Sequence, residues 1–551
     1  MTSAPKVLMV ALDACDERVM RALAAEGRAP TIAALLGRAA RVGTSAPVGV
    51  YEGAIWPTLF TSLSTTKHGY YCHEELTLGT YEHRATSPRE TAGTPFWQVL
   101  SGAGKRVAVI DVPHSVVSGP VNGIQVVEYG CHDRHVGFST WPPALAQELE
   151  QRFGLHPVGG IDAHEARQFA PCDVAHRAGG ARRTHDEARA LFTELVAGQE
   201  AKGKLSLDLL DQGDWDLFVT VLGEGHCTGH QFWALHDPSE PAHDPELAAE
   251  LGDPVAEMYS RLDRALGEHL ERAGPDTSVF VLMSHGMGQM NSGVFLIDAV
   301  LRRLADAETS VPRGGRPMRG LKRLWNALPS GARRRLQPAV ARLVRRRLRR
   351  SPNLAPYQEL FDRCLGCSAA SELAEGQPWF VVPNNTVCAG IRINLAGREP
   401  RGVVEPGADF ERVCDQLATD LLDIVKVESG EPLVLDVSRA SDHYERLEPD
   451  AFPDLLVEWD RRSPTHTVYS PKVGIVHEPY EHWRTGDHFP GGLLLATGPG
   501  IAPGAASQAV PVTDIAPTIC AQLGVELPDV DGRPIPELSE TRSVDAVSAS
   551  R

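Results

Sequence analysis

Short, uninterrupted apolar runs punctuate the chain, and several stop at a residue able to hold a proton or a metal. Lys6–Leu12 (KVLMVAL) closes on Asp13. Leu217–Leu222 leads into a glycine-rich break carrying His226 and His230, and Ser278–Met283 (SVFVLM) runs into Ser284-His285-Gly286-Met287-Gly288. Runs without polar alternation suit parallel strands that are covered on both faces. Lys105–Asp111 (KRVAVID) repeats the pattern with His114 just beyond it, and Pro453–Trp459 and Gly492–Ala496 read as further strands. Between these runs, Pro30–Ala40, Trp56–Leu63, Thr94–Gly102 and Thr513–Leu523 read as helices. Strands alternating with helices predict a doubly wound, mostly parallel α/β sheet with helices on both faces. Ligands of such sheets gather outside the carboxyl ends of the strands, where Asp13 falls. The competing reading of Asp13 is a cap on the helix that follows.

His226 and His230 stand four residues apart, so a helical turn there places both imidazoles on one face, as two ligands of one ion require. Ordinary surface histidines are the plainer reading of the pair taken alone. Tyr51, Glu52 and Gly53 precede the helix predicted from Trp56. A helix start offers unpaired N–H groups and a positive dipole end, which favour an anionic substrate. His68, followed by Gly69, reads as the end of a helix. His114, His132 and His135 are pocket-lining candidates without an assigned role.

Composition narrows the class. The 551 residues are 42% hydrophobic and 23% charged, ordinary for a globular chain with a sizeable core. A net charge of −17 disfavours a general nucleic-acid binder. Arg313–Arg350 breaks the pattern: 14 of its 38 residues are Lys or Arg and none is acidic, leaving 40 basic against 71 acidic residues elsewhere. That segment reads either as a polyanion contact or, preferably, as a helical insertion lying on its own acidic body. Ten cysteines lack a framework spacing, which fits a reducing compartment, and Cys364 and Cys367 read as chance rather than a zinc knuckle. The N-terminus MTSAPKVLMVALDACD does not read as a signal peptide, and no apolar stretch reaches membrane-spanning length. A cytoplasmic protein is expected.

Seven stretches resemble, in order, motifs of the alkaline phosphatase superfamily, with greatest similarity to its type I phosphodiesterase/nucleotide pyrophosphatase branch. They are VALDACD, WPTLFTSLSTTKHGYY, GHCTGHQFW, VLMSHGMG, NNTVCAGIRINLAGREPRG, GDHFPGGLLLATGPGI, and VTDIAPTICAQLG with PDVDGRPI. The resemblance implies an alkaline phosphatase-like sheet with inserted cap segments. It divides the chain into core residues 1–127, a cap insertion at 128–212, core residues 213–312, the basic helical segment and cap at 313–430, and core residues 431–551. It also implies two divalent metals, commonly zinc or manganese, and a Ser or Thr at a helix start that attacks phosphorus. Asp13, His230, His285 and His488 match metal-ligand positions of that pattern.

Three positions depart from it. His226 and Ser284 stand where the pattern has aspartates, and Glu52 stands in the nucleophile slot (Tyr51 or Gly53 if the alignment slips by one). The first ligand set implied is then His226, His230 and His488, well suited to Zn²⁺ with an open fourth position. The second is Asp13, Glu52 and His285, with Ser284 a weak ligand at best, suited to Zn²⁺, Mn²⁺ or Fe²⁺. Trp56 and Ser284 are candidate substrate contacts. Glu52 is the candidate catalytic residue, as metal ligand, bridging carboxylate or general base, with metal-bound water or an acceptor hydroxyl attacking. The expected activity is a metal-dependent hydrolase or transferase on a phosphodiester or pyrophosphate. The alternatives are sulfuryl or sulfamoyl transfer, or a non-catalytic metal-binding relative. A small anionic substrate is implied, no nucleic-acid polymer, and a homo-oligomer is open.

Overall fold

Val7–Leu12 has no solvent-facing side. Its alternate residues serve two different cores: Leu8, Val10 and Leu12 join one apolar cluster, and Val7, Met9 and Ala11 join another. A strand's side chains alternate between faces, so a strand covered on both must be apolar throughout. This strand lies in the middle of a ten-stranded sheet in a computed structural model. The model describes residues 6–130, 135–159, 183–240, 242–291, 293–309, 376–445, 451–463, 465–477, 484–506 and 508–539.

Five adjacent strands run parallel, in the spatial order Ser278–Met283, Val7–Leu12, Leu217–Leu222, Val107–Ile110 and Gly123–Val127. Gly492–Thr497 adds on antiparallel beside Ser278–Met283, followed by Ala40–Ser45. Ser139–Trp141 closes the far edge antiparallel. Helices cover both faces: Pro254–Leu270 and His185–Asp211 on one, Tyr51–Thr61, Phe96–Gly102 and Ile515–Gln522 on the other. The expected α/β class and mostly parallel sheet are therefore those of the molecule.

A second layer has its own apolar core. Four antiparallel strands, Trp379–Val382, Cys388–Ile393, Leu455–Trp459 and Val434–Arg439, pack with helices Val294–Thr309 and Ala408–Leu422. These elements come from both sides of residue 430 and from before residue 313, because completing one hydrophobic cluster takes all of them. Residues 128–212, expected as a cap insertion, supply the edge strand Ser139–Trp141 and helices Ala144–Phe153 and His185–Asp211. Leu149, Leu205 and Leu209 share the cluster of Leu8 and Val10. The loop after Trp379–Val382 docks the second layer onto the first: Asn384 donates to the Gly49 carbonyl at 2.8 Å, and Asn385 to those of Val50 at 2.6 Å and Tyr71 at 3.1 Å. The basic segment Arg313–Arg350, Cys364, Cys367 and His132 lie outside the described residues. No helix among the described residues is long and apolar enough to cross a membrane.

His68 does end a short helix, Thr65–His68, with Gly69 in the left-handed conformation after it. Its Nδ1 accepts the Tyr70 N–H at 3.2 Å, so Nε2–H faces Thr58 Oγ1 at 2.8 Å. Burial holds its pKa down at about 3. The unfolded chain takes up a proton near pH 6.5 that the native ring refuses until about pH 3. Stability therefore falls as pH drops through that window, by about 1.4 kcal/mol per pH unit for this one proton. Urea midpoints measured between pH 7 and pH 4 should fall less steeply in His68→Gln than in the parent chain. Equal slopes would remove His68 as a source of acid lability.

Candidate metal centre

Strand register sets the site. Leu12 pairs with Leu222 on one side and Met283 on the other, so Asp13, Gly223 and Ser284 emerge level at the carboxyl ends of three neighbouring strands. After Gly223 the chain turns into the helix Glu224–His236, which is buried on nearly every side. The four-residue spacing puts the His226 and His230 rings on one face, 4.8 Å apart. Glu224 anchors the helix start in a buried cluster, with His156 Nε2 at 3.2 Å and the Lys202 ammonium at 4.0 Å; Lys202 in turn pairs with Asp111 at 3.0 Å. His488 arrives on a two-stranded ribbon, Gly286–Gln289 with Gly486–Phe489, in which Met287 pairs with His488.

The side chains converge. Among the described residues, two groups could hold a metal: His226, His230 and His488, and Asp13, His226 and His285. His226 Nε2 lies 3.0 Å from His230 Nε2 and 2.7 Å from His488 Nε2. His230 Nδ1 donates to the Gly486 carbonyl at 2.8 Å, which turns the Nε2 lone pair of His230 toward the cluster. Asp13 accepts from Trp56 Nε1 at 2.9 Å and from Ser284 Oγ at 3.0 Å on one oxygen, and lies 2.7 Å from His226 Nδ1 on the other. Ser284 Oγ also meets His285 Nδ1 at 3.0 Å. Burial alone would raise the Asp13 pKa. The charge and hydrogen bond of His226, with His285 and Trp56, outweigh it and hold the carboxyl far below its usual range.

Asp13, His226, His230, His285, His488, Trp56 and Ser284 are thus gathered at one place. Trp56 and Ser284, expected as substrate contacts, hydrogen-bond Asp13. The implied second set differs in membership: Asp13 and His285 are joined by His226, not by Glu52. Glu52 sits in the first turn of the helix Tyr51–Thr61, which begins five residues before the predicted Trp56. Its Oε1 lies 3.3 Å from His488 Nδ1, its side chain is only 10% exposed, and Oε2 has no hydrogen-bond partner among the described residues. Burial pushes its pKa up to about 7, against the pull of its own N–H, His285, Arg461 and Arg484.

Three residues missed in the sequence complete the surroundings. Asp487 is fully buried, receives Thr386 Oγ1 at 2.7 Å, and has its pKa raised by burial despite Arg484 and Arg461. Arg461, from the turn after Leu455–Trp459, donates to the His488 carbonyl and stacks on the Phe489 ring at 3.9 Å. Arg484 Nη2 lies 3.0 Å from His230 Nε2. Asp487 sits inside the quoted GDHF and was legible as a neighbour of His488. Arg461 and Arg484 carry no motif.

The donor set fits a zinc-like ion. Three nitrogens at 2.0–2.1 Å from a tetrahedral ion lie about 3.3 Å apart, so the ring nitrogens need spread by only a few tenths of an ångström. Arg484 must swing off the His230 lone pair that an ion would use.

An α/β sheet presenting imidazoles and carboxylates at its strand ends, with guanidiniums beside them, is a frame for handling phosphate oxygens. The chain belongs to the type I phosphodiesterase/nucleotide pyrophosphatase family, whose sequence pattern it matches over residues 7–488. No curated protein matches it. Among solved structures it is similar to phosphonoacetate hydrolase from Sinorhizobium meliloti in complex with phosphonoacetate, at 13% identity and TM-score 0.46 over 94% of both chains. It is also similar to inactive murine ectonucleotide pyrophosphatase/phosphodiesterase 5 in complex with AMP. There the identity is 12% and the TM-score 0.44, over 95% of this chain and 96% of that one.

The ribbon reaches the helix through a close backbone approach. A Cβ on Gly486 would stand 2.1 Å from the Gly229 carbonyl oxygen. Gly486→Ala should push His488 away from His226 and His230 and weaken Zn²⁺ binding at least tenfold in a chelator competition. Unchanged affinity would show that this contact does not place His488.

Proposed function

We propose that the protein is a metal-dependent hydrolase of a small phosphodiester or pyrophosphate, in which Glu52 acts as general base toward water or an acceptor hydroxyl. The observation that carries this reading is the convergence of three imidazoles beside a buried glutamate and two guanidiniums. His226, His230 and His488 would hold the ion, and three imidazoles favour zinc over manganese or iron. When bound, a divalent ion supplies Lewis acidity to a phosphoryl oxygen and lowers the pKa of an attacking water.

The chain's own residues account for the rest. The Glu52 carboxylate takes the proton of the attacking O–H as the new P–O bond forms and the bond to the leaving group breaks. A base whose pKa lies near neutrality is matched to that task. Arg461 and Arg484 sit where forked donors can meet phosphoryl oxygens and offset the charge that Glu52 and Asp487 bring. Tyr51, at φ +26°, holds the turn that aims Glu52 inward. Such a conformation costs about 1–3 kcal/mol and persists only where the surroundings enforce it. Asn384 and Asn385 do so here by binding the carbonyls of Gly49, Val50 and Tyr71. The described cysteines Cys15, Cys72, Cys227, Cys388, Cys414 and Cys520 are buried thiols outside any disulfide, which supports a cytoplasmic location.

The test is turnover of bis(p-nitrophenyl) phosphate by the zinc- or manganese-loaded protein. Glu52→Gln should lower kcat by about 10²–10⁴-fold with metal content unchanged, and His230→Ala should lose both metal and turnover. No hydrolysis of phosphodiesters or pyrophosphates by the loaded parent would overturn the reading. Cleavage of aryl sulfates alone would replace it with sulfuryl chemistry.

A further inference from the structure

We propose that this chain holds one ion, on Nε2 of His226, His230 and His488, and that Asp13 is a positioning residue that orients His226 and does not itself bind metal. The inference rests on the hydrolase reading for its relevance and on geometry for its content.

The two candidate groups share His226, and a neutral imidazole has a single lone pair. Its two nitrogens are differently placed. Nδ1 lies 2.7 Å from Asp13 Oδ2, whereas Nε2 lies 3.0 and 2.7 Å from His230 and His488. A carboxylate can only accept, so Nδ1 carries the proton and the lone pair points at the other two imidazoles. This is a carboxylate–histidine pair of the kind that fixes a ligand's tautomer and ring orientation.

Asp13 is committed elsewhere. Trp56 and Ser284 occupy Oδ1 and His226 occupies Oδ2. These three donors hold the carboxylate in the orientation that aims the His226 ring. Without the His226 lone pair, the second group keeps only Asp13 and His285, fewer than the three protein ligands of an ordinary zinc site. Ser284 spends its hydroxyl on Asp13 and His285. Glu52 belongs to neither cluster, and its Oε1 rests on His488. The His226 imidazole and the Ser284 hydroxyl thus make Asp13 part of a hydrogen-bonded brace for the three-imidazole site.

The test is titration of metal-free protein with Co²⁺, read by its visible absorption, with the endpoint checked by elemental analysis under Zn²⁺. The parent chain should saturate at one equivalent. Asp13→Ala and the isosteric Asp13→Asn should still saturate at one, with affinity weakened about 10–100-fold. Circular dichroism on both variants guards against simple misfolding. His285→Ala should also saturate at one equivalent. A parent endpoint of two equivalents, dropping to one in Asp13→Ala or His285→Ala, would overturn the single-ion assignment; phosphodiester turnover by that protein would leave the hydrolase reading standing. An endpoint of one with no turnover would do the opposite.

Discussion

The alignment of Leu12 with both Leu222 and Met283 is the constraint on which the site depends. Three parallel strands that end level deliver three polar segments to one place. Everything else refines that delivery. The helix Glu224–His236 turns back from the middle strand end, and the ribbon carrying His488 folds over it until the Gly486 and Gly229 backbones touch. A shift of one residue in any of the three strands would exchange the faces of its side chains and scatter the cluster.

Burial makes the cluster's charges interdependent. A carboxylate removed from water is costly unless hydrogen-bonded and paired. Asp13 meets that condition with three donors and stays ionised, whereas Glu52 and Asp487 meet it only in part and are pushed toward protonation. The same cluster thus holds one carboxylate kept ionised and one pushed up toward neutrality, and the difference lies first in the His226 charge beside Asp13 and then in the donors it receives.

The central strands and the helices that cover them were legible in continuous apolar runs, and Asp13, His226, His230 and His285 follow closely on such runs. His488 precedes the strand Gly492–Thr497 and entered only through the family resemblance. The helix at Tyr51 was read five residues late because Gly53 and Pro57 weaken the local helical signal, and tertiary contacts from Asn384 and Asn385 fix its start. The split of ligands between two sets was not legible, since it turns on which nitrogen of His226 faces Asp13. Nor were Arg461 and Arg484, whose importance comes from where a distant turn and a ribbon set them down. The second layer was hidden for a related reason: its core is assembled from segments that the order of the chain keeps apart.

That second layer brings Arg461 and Thr386 to the edge of the imidazole cluster while keeping an apolar core separate from the main sheet's. The two layers are nonetheless joined by a shared apolar cluster, in which Val50, Tyr51 and Tyr71 pack with Val387, Phe452 and Leu456. A change in that shared cluster would therefore reach the turn that carries Glu52 as well as the second layer's own strands.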